Sequence, residues 1–198
     1  MRAQLRHLFT TPGLNKRPDN ARPMKTRVWA SIAAAWLPAA CTPALDWREV
    51  RPEGSGLALL MPCKPDNQVR AVGLAATQVR LSLHACSAAG VTWALAFADV
   101  GDPAKVTAAL SDLRASAQEN LRAADAEPLP LPLKVVGATP NDASQRVQFT
   151  GRMPDGRVVT EQMAGFAKGT RVFQAVALGP SLESEAMATF FGNLRLLP

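Results

Sequence analysis

Beyond residue 40 the chain carries one histidine, His84, and this limits the chemistry open to it. A Ser-His-Asp arrangement would have to use that imidazole. It falls mid-strand in "RLSLHAC", between Leu83 and Ala85, and no GxSxG elbow occurs to present a nucleophile. A structural or surface role is expected for His84. Carboxylates offer little more. Glu183 and Glu185 open the last helical segment, where negative charge favours the positive end of the dipole, and Asp142 and Asp155 fall in turns, where Asp is common. The cysteines form no CxxC and no His pair stands near them, so no zinc site is expected. GxGxxG, P-loop and EF-hand spacings are absent, and "GRMPDGR" reads as a hairpin turn flanked by arginines. The expectation is a protein that is not an enzyme, with no catalytic residue, cofactor or metal.

The residue with a chemical future is Cys41. From Met24 the chain runs through Lys25 and Arg27, then an apolar stretch from Val28 to Ala40 interrupted at Pro38, then "AAC". That is the layout of a secretory signal. The apolar stretch is about 13 residues, against the roughly 20 a spanning helix needs, so a transmembrane anchor is not expected. Ala39 and Ala40 before Cys41 resemble the lipobox of bacterial lipoproteins, although Pro38 stands where that pattern has Leu and Leu37 lies one step back. The resemblance implies diacylglycerol on Cys41, which becomes the new N-terminus. Thr42 follows it where inner-membrane retention would call for Asp, which implies the outer membrane. The alternative is ordinary signal-peptidase cleavage near Ala40 and a soluble periplasmic protein. Residues 1–23 show neither helical nor strand periodicity, and either translation starts at Met24 or the leader is unusually long and basic.

Charge follows the same boundary. The +6 formal charge belongs to residues 1–40, which hold 7 basic residues and one acid, Asp19, whereas 15 basic and 15 acidic residues follow. A neutral mature chain without tyrosine gives no footprint for nucleic acid. If Cys41 carries lipid, Cys63 and Cys86 remain as a pair in an oxidising compartment, where bridging is the rule; two buried free thiols are the alternative.

The elements that position these residues read as one domain. Residues 1–40 are leader and signal, 41–46 a tether, and 47–198 a single α+β domain. "DWREV" and "GLALLMPC" are short strands around a turn at Pro52–Ser55, and "NQVRAV" is a weaker strand. "TQVRLSLHAC" alternates, with Val79, Leu81, Leu83 and Ala85 on one face and Arg80, Ser82, His84 and Cys86 on the other. It pairs through "SAAG" with "VTWALAFADV". Asp102-Pro103 starts a helix whose apolar stripe is Val106, Leu110, Leu113, Ala117 and Leu121. "EPLPLPLK" suits an extended connector. "LKVVGA", "SQRVQFTGRM", "RVVTEQMAGFA" and "TRVFQAVALG" are strands. Ser181 is placed to cap a last helix that buries Leu182, Ala186, Met187 and Phe190 and stops at Gly192-Asn193, before a short terminal strand. One helix face cannot fully bury both Phe190 and Phe191, so the second should rest under a strand or mark a contact surface. Trp47 and Trp93 read as core or rim residues.

The order "GLALLMPCKP", "VTWALAFADV", "PAKVTAALSDLRASAQENL", "RVQFTGRMPDGRVVTEQMAGFAKGTRVFQAVALGP" and "FFGNLRL" resembles small bacterial envelope proteins of unknown function with a PsbP-like α/β/α sandwich, over roughly Trp47 to Leu196. The resemblance implies an antiparallel sheet covered by two helices. It also implies an accessory or assembly role, because PsbP-like proteins mostly serve membrane complexes, although fold alone carries no task across. The expected partners are a membrane, through the N-terminal lipid, and another envelope protein. The competing reading is a periplasmic binding module that holds a small apolar or amphipathic ligand between sheet and helix.

Overall fold

The computed structural model describes residues 44–123 and 127–198; Cys41, the leader and the first residues of the tether lie outside the described residues. Strands β1 (Arg48–Val50), β2 (Leu57–Met61), β3 (Asp66–Leu74), β4 (Thr77–Ala88) and β5 (Val91–Asp99) lead into helix α1 (Val106–Asn120). Strands β6 (Leu129–Leu131), β7 (Gln145–Arg152), β8 (Val158–Lys168) and β9 (Arg171–Gly179) follow, then helix α2 (Ser184–Gly192) and strand β10 (Arg195–Leu196). A seven-stranded sheet has the order β3-β4-β5-β9-β8-β7-β6, and a three-stranded sheet the order β1-β2-β10. Every strand pair within the two sheets is antiparallel. The class is α+β, with the sheet dominant.

The large sheet is apolar on both faces. One face is covered by α1, whose Val106, Leu110, Leu113 and Ala117 are all buried, as is Leu121 just past its end, as the stripe requires. They meet Leu81, Leu83, Val147, Phe149, Met163 and Val176. The other face is covered by Leu57, Leu59 and Met61 of β2 and by Ala186, Met187, Phe190 and Phe191 of α2. Each large apolar side chain so buried contributes about 1.5–3 kcal/mol.

Local chemistry sets the ends of these elements. The Asp102 carboxylate accepts the Ala104 N–H at 2.9 Å, and a 3₁₀ turn over Pro103–Lys105 runs into α1. The β4–β5 turn places Ala89 and Gly90 at φ of 51° and 75°, as a two-residue hairpin turn of the primed type needs. The β3–β4 turn does the same with Ala75 and Ala76, at 48° and 58°. Alanine is strained in this region, and an Asp112 side chain on α1 holds the turn by accepting the Ala75 N–H at 2.8 Å.

Two expectations are corrected. "LKVVGA" forms no strand; the seventh strand of the sheet is β6, inside the proline-rich connector, where Pro130 is tolerated because β6 is an edge. Ser181 does not cap α2, which has Glu183 at that position without a side-chain capping bond. Phe190 and Phe191 are both buried, as one of the two alternatives for the pair had it: Phe190 packs on Trp93 of β5, and Phe191 rests under Arg146 of β7.

Cys63, just after β2, and Cys86, on β4, are joined with Cα atoms 6.0 Å apart, which ties the small sheet to the large one. Reducing this bridge should lower the unfolding free energy by about 3 kcal/mol while far-ultraviolet circular dichroism keeps its folded shape. The end of α1 depends on Gly151. A methyl group there would fall on the Leu121 carbonyl oxygen and 2.7 Å from the Leu121 Cβ, where Arg152 N–H donates to that same carbonyl at 2.7 Å. Gly151→Ala should therefore cost about 2–3 kcal/mol in urea denaturation; an unchanged midpoint would show that this contact yields freely.

Candidate functional site

Strand β7 alternates, and its two faces have different fates. Val147 and Phe149 point into the core under α1. Arg146 and Gln148 point the other way, toward α2, and join Gln162 of β8 in a polar ladder. Arg146 Nη2 donates to Gln162 Oε1 at 2.5 Å, and Gln162 Nε2 donates to Gln148 Oε1 at 2.8 Å. The Arg146 guanidinium carbon lies 4.0 Å above the centre of the Phe191 ring. Stacking on an aromatic face suits guanidinium, which is weakly hydrated and keeps its proton even where, as here, burial pushes its pKa down.

After β6 the chain crosses this face as a strap. Val136 bridges Arg195 of β10, the Leu196 N–H donates to the Val136 carbonyl at 2.8 Å, and the Thr139 N–H donates to Ala167 at 2.7 Å. Leu133, Val135 and Ala138 pack down on the second core. Gly137, at φ 81°, makes the crossing possible, since a Cβ there would sit 2.9 Å from the Leu196 carbonyl oxygen. Between strap, β7 and α2 lies an open cleft of about 440 Å³ lined by Leu133, Lys134, Val136, Arg146, Ala188, Phe191 and Leu194, with Pro132 and Gly192 at its rim. A second cleft, of about 380 Å³, follows the strap past Val135, Thr139, Asn141 and Phe166.

His84 is elsewhere. It is buried on β4, and its ring stacks at 6.0 Å on Phe97, which stacks at 6.1 Å on Phe173, which stacks at 5.0 Å on Phe166. Burial pushes its pKa down, and no hydroxyl or carboxylate among the described residues hydrogen-bonds to it. Trp93 is fully buried between Trp47 and Phe190, at 5.7 and 5.2 Å. Glu183 and Glu185 are exposed at the start of α2, Asp142 is exposed beside the second cleft, and Asp155 pairs with Arg157 in the β7–β8 turn. Among the described residues no three His, Cys, Asp or Glu side chains converge, and no helix is long and apolar enough to cross a membrane. Neither a protein-family model nor a curated protein matches the chain.

Sequence reading did not single out Arg146 or Glu161. A strand's polar face usually points to solvent, and "SQRVQFTGRM" carries no sign that α2 and the strap will cover Arg146. Glu161 lies on the α1 face of β8, level with Phe149 and Leu178, fully buried, with Oε1 unpartnered. Burial pushes its pKa up to about 8. Its carboxyl is thus neutral in the folded chain up to that pH, but ionised in the unfolded chain above its ordinary value of 4.5. Between these values unfolding releases a proton, so stability should fall with rising pH by on the order of 5 kcal/mol. Glu161→Gln should flatten this slope between pH 5 and 8 in urea titrations; a slope equal to that of the parent would assign it to other groups.

Proposed function

We propose that this chain is a non-enzymatic lipoprotein, anchored through Cys41 on the periplasmic side of the outer membrane, and acting as an accessory or assembly factor for another envelope component. The observation that carries the reading is the filled interior. Leu110, Leu113 and Leu81 on one side of the sheet, and Leu57, Met61, Phe173 and Phe190 on the other, are at most 2% exposed. An internally solid domain without a catalytic constellation among its described residues suits contact through its surface. The Cys63–Cys86 bridge suits an oxidising compartment, and the balanced charge after residue 40 suits neither nucleic acid nor strong adsorption to anionic lipid. We read the layering of helix, sheet and helix-with-small-sheet as the PsbP-like arrangement. Two acyl chains on one cysteine hold a protein on a membrane where a single chain does not.

A second reading, a binding module for a small amphipathic ligand, is favoured by one feature, the open cleft between β7 and α2.

Labelling cells with radioactive palmitate should mark the parent chain and not Cys41→Ser, which should accumulate as unprocessed precursor outside the outer-membrane fraction. A photo-crosslinking amino acid at exposed Val69 or Leu129 should capture one dominant envelope protein in the parent and lose it in Cys41→Ser. A mature protein that retains residues 1–40 would overturn the anchor. Normal function of Cys41→Ser would overturn the need for membrane placement.

A further inference from the structure

We propose that the cleft between β7, α2 and the strap binds a single-chain amphiphile, its anionic head on Arg146 and Lys134 and its apolar part against Phe191 and Val136. The proposal rests on the second of the readings above and names its ligand.

The charge in this cleft is uncompensated. Arg146 forms no ion pair among the described residues, and its Nε is buried without an acceptor. Among the described residues its side chain hydrogen-bonds to a neutral amide, Gln162. Lys134 stands exposed on the same cleft, and among the described residues no acidic side chain lines it. A half-buried guanidinium, oriented by Gln162 and by the ring of Phe191, is a preorganised partner for a carboxylate or phosphate. The remaining wall is apolar. Val136 is 63% exposed there, a large hydrophobic side chain left uncovered beside two cations. The volume of about 440 Å³ lies in the range of small-molecule sites. A bare inorganic anion would leave that wall wet, and a neutral apolar ligand would leave Arg146 unpaired. An amphiphile satisfies both.

Isothermal titration of the purified full chain with sodium decanoate, decyl phosphate, decanol and inorganic phosphate tests this. Decanoate and decyl phosphate should saturate one site, with decanol and inorganic phosphate at least about tenfold weaker. Arg146→Gln should lower decanoate affinity about tenfold, and Lys134→Gln about threefold. Ala188→Trp, which fills the cleft from an exposed position of α2, should abolish binding. Lys134 and Ala188 are exposed, so their variants remain informative if Arg146→Gln fails to fold. Equal affinity for decanol and decanoate, with Ala188→Trp still blocking both, would overturn the anionic head and keep a binding module. No saturable binding of any probe, or binding only to phosphatidylglycerol vesicles, would overturn the amphiphile and the binding-module reading together. Undiminished binding to Ala188→Trp would place the site elsewhere.

Discussion

The structure depends on burying a seven-stranded sheet on both faces. In β5, β8 and β9 nearly every residue is buried, so these strands have no side that water can occupy. Antiparallel sheets often leave one face wet and read as alternating apolar and polar residues. Here "VFQAVAL" and "WALAFA" are nearly continuous apolar runs, and two separate covers are required. One cover is a single element, α1, laid across β8 and β9. The other is assembled from β1 and β2 at the start of the domain, the strap after β6, and α2 with β10 at the end.

The composite second cover explains where the cleft lies. A continuous helix closes a sheet face along its length, whereas pieces from distant parts of the chain meet at seams. The strap meets β10 through a single parallel bridge and a glycine crossing, and the cleft opens beside that seam. The disulfide works on the opposite flank, where it holds β2 against β4. Cross-links and aromatic stacks thus concentrate on the side of the sheet that lacks a single long cover.

Polar groups inside the two layers are treated differently. On the α1 side, Gln174 donates to the Leu113 carbonyl at 3.2 Å and fastens the helix to β9, while Glu161 is buried without compensation for one oxygen and costs stability once ionised. On the α2 side, Arg146, Gln162 and Gln148 satisfy one another in part and keep a positive charge at the mouth of a cleft. A destabilising carboxyl in a sealed layer and an unpaired cation at an open seam are different departures from full satisfaction, and only the second is reachable from outside.

What the sequence determined by itself was the set of local choices. Asp102 and Pro103 started the 3₁₀ turn that runs into α1, the 3-and-4 spacing named residues that are buried, and the alternation in "TQVRLSLHAC" assigned Val79, Leu81 and Leu83 to one face and Cys86 to the other. Each of these is settled within a few residues by backbone geometry and side-chain periodicity. Tertiary structure decided the rest. The proline-rich connector became an edge strand because β7 offered it a free ladder, while "LKVVGA", equally strand-like in composition, was drawn off to strap the second core. Phe191 was buried because its helix came to lie against β2 and against Arg146 of β7, and Arg146 became the candidate site residue because α2, some 40 residues away in sequence, came to lie beneath its guanidinium. Periodicity records which side of an element a residue occupies, but not what arrives to cover that side, since covering depends on contacts between segments far apart in the chain.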